Sequence, residues 1–453
     1  MYKPSEIPSF LHYQYDLRIL AIDRNQLPGN FPTWLLENNT RLGGLCARDN
    51  ALIGPLELPS TSLPHLHTID VSNNKLNGHI STNVSSAFPN LTILNISQNL
   101  LEGPINSKVS GIHLRILDLS QNFLSGGVPS DLTSSPTLFY LRLSNNRLKG
   151  QIFLKDFRSG TLSFLYLNGN NFEGPLPSNI FLRAFIVLDA SNNNFSGEIP
   201  KWIRDNSRIL QLDFSKNQLE GSIPVEICNL KSIKWIRFLS WISSTRHYHI
   251  THGLPSDFNY IDVDTRVRFS TKRNSYNYKG SILKYMSGID LSSNRLTGEI
   301  PIELGNLSKI HALNLSHNHL IGRIPESFSY LHEVESLDLS YNSLNESIPV
   351  GLLELHPLAV FSVAYNNLSS RVPDFKGQFG TFDKSSYESD LDSMESFYVG
   401  FGMSYGAILL GLAAALCFNP YWRRAWFRLV GALMLTSYNF LLDNVVSPFK
   451  NCW

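Results

Sequence analysis

Cysteine is scarce: the 453 residues hold only Cys46, Cys228, Cys417 and Cys452. No two of them are close in sequence, which argues against a disulfide framework and against a zinc knuckle. Cys228, in the run EICNL, takes the place of a small buried hydrophobe. Charge of one sign is also missing, since 38 basic residues face 37 acidic ones for a net charge of +1. No strong field points to nucleic acid. No phosphate-cradling glycine loop, Ser-His-Asp set or carboxylate pair emerges from any motif, so the chain reads as a non-enzyme without a cofactor. His247, His249 and His252 lack a cysteine or a well-placed carboxylate to complete a metal set and read as surface histidines. The first thirty residues contain no apolar run of the signal-peptide kind.

What the chain has in abundance is one repeated phrase. The stretch Leu114 to Pro129, LRILDLSQNFLSGGVP, shows the unit L-x-x-L-x-L-S-x-N-x-L-x-G-x-I-P. Its turn asparagine recurs at Asn25, Asn50, Asn74, Asn99, Asn122, Asn146, Asn170, Asn193 and Asn217, then at Asn294, Asn318, Asn342 and Asn366. The steps are 23 to 25 residues, apart from a single step of 77. A unit this short buries no core alone and is stable only when stacked. Leu117 and Leu119 point inward from one short strand, as a side-chain period of two requires. The asparagine amide can bond unpaired backbone of a neighbouring turn. Gly126 suits a tight bend, and the Val-Pro that follows begins an extended or 3₁₀ segment. The second repeat is the weakest match, with Gly44 on its strand and Ala47 where leucine is usual. The expected fold is an α/β-type horseshoe solenoid with a parallel β-sheet on its concave face.

The period divides the chain. About nine repeats span residues 15–230 and four span 285–373, separated by a non-repeat island at 231–284. Outward strand residues form a ribbon on the concave side that includes Tyr140, Arg142, Ser163, Tyr166, Asp189, Gln211 and Asp213. Mixed aromatic and charged residues there suit a ligand surface; the plainer reading is the solvated face of a scaffold. The island is rich in Trp, Tyr, His, Arg and Lys, with strand-like alternation in VDTRVRF. A long loop inside a compact array implies a task. It is expected to fold back on the concave side and to add Trp235, His247 and Tyr248 to the ligand surface.

Beyond the repeats, residues 374–396 read as an acidic juxtamembrane linker with Asp383, Glu388, Asp390, Asp392 and Glu395. Residues 397–418 form an uncharged stretch of 22, long enough to span a bilayer as a single helix. Arg423, Arg424 and Arg428 follow it and mark the cytoplasmic side, which puts the repeats outside. Gly402 and Gly406 make one G-x-x-x-G for helix packing. Residues 419–453 are a short tail in which 429–442 reads as interfacial. Sequons for N-glycosylation occur at Asn38, Asn83, Asn90, Asn95, Asn194, Asn306, Asn314, Asn345 and Asn367.

The unit LxxLxLSxNxLxGxIP, the island before the last four repeats, the acidic run and FYVGFGMSYG…CFNPYWRRAWF together resemble the plant leucine-rich-repeat receptor-like proteins. The resemblance covers nearly the whole chain. It implies a single-pass type I receptor at the plasma membrane, without a kinase of its own, acting in defence or development. It further implies an extracellular peptide, microbial protein or wall-glycan ligand read by the island and nearby concave repeats. Signalling would pass through an adaptor receptor kinase and a co-receptor kinase, paired by the last repeats and the membrane helix. Two departures stand out: neither a signal peptide with a cysteine-paired cap at the start nor a paired-cysteine cap after the last repeat is present. They imply a truncated product, a mis-drawn gene model or a degenerate gene copy, with a first hydrophobic layer that is uncapped. The alternative readings are a matrix-binding module resembling polygalacturonase inhibitors, or a non-functional receptor copy.

Overall fold

A computed structural model describes residues 7–387 except 112, 154–160, 177–184, 202–208, 230–266, 272–273, 279–286 and 370–376, together with Arg424 and Arg428. Thirteen three-residue strands, from Ile19–Ala21 to Val360–Ser362, pair side by side in chain order in one parallel sheet. The middle residue of each triplet faces inward. Leu117, Leu141, Leu165 and Leu188 are fully buried, and successive ones sit opposite each other in register. The weak second repeat still supplies the strand Gly44–Cys46 and a fully buried Ala47. The sheet runs on across the long step: Gln211–Asp213 pairs directly with Gly288–Asp290.

A second parallel sheet of twelve strands follows the turn asparagines. Its members, such as Lys75–His79 and Leu100–Pro104, bury the repeat leucine and expose the residues around it. The sequence pointed only to a bend here. Gly126 does make that bend, at φ 78°, in the left-handed region that glycine tolerates best. The Pro-led segments that follow become 3₁₀ turns, among them Ile302–Asn306, Glu326–Tyr330 and Val350–Glu354.

The asparagine ladder locks one repeat to the next. Asn122 donates from Nδ2 to the carbonyls of Leu119 and Ser120 in its own turn and of Ile96 in the preceding one, at 3.1–3.2 Å. Its Oδ1 accepts the Leu101 N–H at 3.0 Å. The residue before each ladder asparagine adopts a left-handed conformation, as in Gln121 at φ 54° and Lys216 at φ 54°.

Both ends of the stack carry packing that the sequence did not announce. At the start, the 3₁₀ turn Ser9–Tyr13 puts Leu11 into the common core, and His12 stacks on Trp34 with ring centroids 3.7 Å apart. The expectation of an uncapped first layer is corrected accordingly. At the other end, residues 377–387 are not plain linker. Phe379 is fully buried, in edge contact with Phe361 and Phe382, and the Val363 N–H bonds the Ser386 carbonyl at 2.9 Å. Aromatic burial outweighs the polar composition of that stretch.

Among the described residues no helix is long and apolar enough to cross a membrane. The segment 397–418, with Gly402 and Gly406, lies outside the described residues.

Candidate ligand-binding face

The first and third residues of each concave strand point away from the leucine core and line up as two rows. One row runs through Ile116, Tyr140, Phe164, Val187 and Gln211. The other runs through Asp118, Arg142, Tyr166, Asp189, Asp213 and Asp290, and then Asn314 and Asp338. Of the concave candidates read from the sequence, six fall on these rows; Ser163 does not, since it precedes the strand Phe164–Tyr166 and is buried. Tyr140 and Gln211 stand in the first row, and Arg142, Tyr166, Asp189 and Asp213 in the second.

Their exposure is not as expected. Tyr140, Tyr166 and Asp189 are each 2% exposed, and Gln211 and Asp213 are also buried. A second apolar cluster lies on this side of the sheet and includes Ile93, Ile116, Tyr140, Phe164, Tyr166 and Val187. Strands about 4.8 Å apart put large rings against one another. Tyr140 lies 6.0 Å from Phe164 and 5.6 Å from Tyr166 by ring centroids. Arg142 sits 5.4 Å over the Tyr166 ring, and its Nη1 is 4.0 Å from Asp118 Oδ2.

The carboxylates of the second row share one construction. Asp213 Oδ1 accepts the Ser215 N–H at 3.0 Å and the Ser215 hydroxyl at 2.7 Å. Asp70, Asp118, Asp189 and Asp338 repeat the pattern with Ser72, Ser120, Ser191 and Ser340. The D-x-S in the repeat phrase is its signal, which the sequence reading passed over. Asn95 and Asn314 replace the aspartate in two repeats and hold Ser97 and Ser316 in the same way.

The electrostatics follow from burial. Burial, and after it Asp189 and Asp290, pushes the Asp213 carboxyl well above the ordinary range. Asp290 is raised too, by burial first and by Asp338 in addition, against hydrogen bonds from Ser292 and Asn314. Burial and then Tyr140 hold the Tyr166 phenol well above its usual value, with Arg142 pulling the other way. For Arg142 burial works against the charge, but Tyr140, Asp118 and Tyr166 more than offset it.

From the island, an antiparallel hairpin of Val267–Thr271 and Asn274–Tyr278 is described, and its first strand lies against the concave strand Ala312–Asn314. Trp235, His247 and Tyr248 lie outside the described residues. Of the sequons, Asn83, Asn90, Asn194, Asn306, Asn345 and Asn367 are exposed and Asn38 is half-buried. Asn95 and Asn314 are half-buried on the concave row itself.

Two stacked parallel sheets with one strand per repeat and an asparagine ladder define a leucine-rich-repeat solenoid. The family described as Leucine Rich Repeat matches residues 113–135, 161–181, 185–206, 208–230, 286–307, 309–331 and 333–355. Cuscuta receptor 1 of Solanum lycopersicum is 51% identical over 99% of this chain and 55% of its own length. Receptor-like protein 14 of Arabidopsis thaliana is 33% identical over 67% of this chain and 45% of its own length. The chain thus spans about half the length of these relatives. Among solved structures, the ectodomain of the Arabidopsis receptor kinase HAESA in complex with an extended IDA peptide hormone is similar, with a TM-score of 0.60. It shares 26% identity over 85% of this chain and 63% of that one. The plant peptide hormone receptor RGFR1 in complex with RGF2 gives a TM-score of 0.54 at 25% identity, over 82% of this chain and 58% of that one. The chain is thus a leucine-rich-repeat protein that is similar to the plant receptor-like proteins.

Proposed function

We propose that the chain is a receptor that binds an extracellular ligand on its concave face and passes the event to partner kinases. The observation that carries this reading is the second concave row. Thirteen parallel strands hold Arg142, Tyr166, Asp189, Asp213, Asp290 and Asp338 in fixed register, with a hairpin of the island resting on the same sheet. A rigid array of this kind presents side chains at a constant spacing, as recognition of an extended ligand requires. The HAESA ectodomain, similar in fold, is seen with a peptide hormone and with the co-receptor SERK1. In this reading Trp235, His247 and Tyr248 of the island add to the ligand surface. Residues 397–418 anchor the chain in the plasma membrane, with the repeats outside and glycosylated at exposed sequons. Gly402 and Gly406 pair the helix with an adaptor kinase, and a co-receptor kinase joins at the last repeats.

A separation of functions tests it. Deleting residues 235–280 is expected to abolish ligand response while membrane insertion and kinase co-precipitation persist. Replacing Gly402 and Gly406 by leucine is expected to do the reverse. If both variants lose or keep both properties together, this division of labour is wrong.

A further inference from the structure

The residue before each ladder asparagine stands on the rim between the two sheets, outside the concave rows. Its left-handed backbone repeats from turn to turn, with φ 54° at Lys216, 53° at Ser293, 54° at His317, 53° at Tyr341 and 55° at Tyr365. Each of these turns is bonded to the next. The Asn217 N–H donates to the Ser293 carbonyl, Asn294 to His317, Asn318 to Tyr341 and Asn342 to Tyr365, all at 3.1–3.2 Å. Side chains at this position therefore leave the rim side by side, one repeat step apart. At the end of the row they are rings that form a column. His317 stacks on Tyr341 with centroids 4.0 Å apart and planes 12° from parallel, and Tyr341 stacks on Tyr365 at 4.2 Å and 18°. His317 and Tyr341 are exposed. The column stops at Ser293, which has no ring, and the next residue of the row is the exposed Lys216. An earlier gap in the row shows what a small residue does here. At Gly169 the Asn145 side chain leans into the space, its Oδ1 2.5 Å from where a Cβ would stand. His317 is held at its own level by Tyr341, which leaves the space over Ser293 to a ring from outside.

We propose that this notch binds a free aromatic acid, an indole or phenol ring carrying a carboxylate, stacked on His317 above Ser293 with its carboxylate on Lys216. Two repeat steps of about 4.8 Å each separate His317 from Lys216. A flat ring needs about 3.5–4 Å to each neighbour, so one ring fits between them and two do not. The open face of His317 offers the ligand the same stacking that its other face makes with Tyr341. The Lys216 stem covers the far face of the ring, and its ammonium favours an electron-rich ring and pairs with the carboxylate. The Ser293 hydroxyl, at the floor of the notch, suits a phenol hydroxyl or an indole N–H. The site stands apart from the concave rows, so its occupancy is independent of a ligand there.

The test uses the full chain in detergent micelles and ligand-observed saturation-transfer NMR with indole-3-propionate. Its signal is expected to saturate with a Kd of about 1 mM, the range for a ligand this small on an open surface. Ser293→Tyr fills the notch with a ring of the kind that Tyr341 and Tyr365 already place on this backbone. It is expected to cut the signal to the level of micelles alone. His317→Ala is expected to lower the affinity about fivefold. Lys216→Gln is expected to lower it about threefold. Cyclohexanepropionate, which has the same charge and no flat ring, is expected to give no signal above that of micelles. Equal signals from the two acids, no signal above micelles in the unaltered chain, or an undiminished signal in folded Ser293→Tyr protein overturns the proposal. If Ser293→Tyr fails to fold, the other two variants decide, and affinity unchanged in both overturns it as well.

Discussion

The Leu219 N–H donates to Asn294 Oδ1 at 3.0 Å across 75 residues of chain, a bond that elsewhere in the ladder joins residues 21 to 23 apart. Asn294 also donates to the Phe214 carbonyl at 2.9 Å. The island is thus inserted between two repeats that still stack as if adjacent. Asn294→Ala would strand the Leu219 donor and the Phe214 acceptor in the core, at a cost of about 3 kcal/mol. Hydrogen exchange should show it as faster exchange of the Leu219 amide. Asn342→Ala, away from the junction, should leave that amide protected, because repeat stacks couple mainly to nearest neighbours.

Glu346 holds the position that other repeats give to glycine, at φ 63°, where Gly322 and Gly298 have φ 77° and 78°. The strand there is Ser343–Asn345, shorter than His319–Arg323 in the preceding repeat. A side chain in this region costs about 1 kcal/mol. Glu346→Gly should raise the thermal midpoint, and Glu346→Val should lower it because a β-branched residue fits this backbone worst. A lower midpoint for the glycine variant would show that the Glu346 backbone is relaxed.

Asp213 supplies a pH dependence whose sign is fixed. Burial, then Asp189 and Asp290, raises its folded pKa above the unfolded value. A raised carboxyl contributes stability that is fully present below the unfolded pKa and is lost as pH rises through the folded one. Asp213→Asn, made in a host that adds no glycans, should therefore stabilise the repeats near neutral pH and have little effect near pH 3. Urea titrations at both pH values check this. A variant equally affected at both would point to lost hydrogen bonds to Ser215 rather than to charge.

Much of this architecture was legible because leucine and asparagine recur at fixed offsets, and the inward leucines and the ladder follow from them alone. The rows of Tyr140 and Tyr166 were legible too, since a period of two assigns a face. Their burial was not, because Tyr140 and Tyr166 meet on neighbouring strands and only packing across repeats decides what stays wet. The second sheet was hidden because a strand such as Lys75–His79 buries Leu76 alone, too little for a recognisable alternation. The left-handed residues before each asparagine were hidden for another reason. Gln121, Lys216, His317 and Tyr341 share a backbone conformation and no side-chain property.

The aromatic plug over the last repeat was missed because Phe379, Phe382 and Tyr387 carry no repeat spacing and sit among polar residues. Their contacts form a closed set: Phe361 lies 5.0 Å from Phe379, 5.8 Å from Phe382 and 6.0 Å from Tyr387 by ring centroids. The Tyr387 hydroxyl donates to the Phe379 carbonyl at 3.2 Å. Phe379→Ala removes a fully buried ring and should cost about 3–5 kcal/mol. In a one-dimensional stack that loss falls on the C-terminal repeats, so amides near Val363 should exchange early while those near Leu117 stay protected. Burial also raises the Tyr387 phenol from 10.0 to about 12, so the plug's contribution is intact below pH 10 and fades as pH rises towards about 12. Tyr387→Phe should remove that alkaline loss. If the alkaline transition persists in the phenylalanine variant, another group governs it.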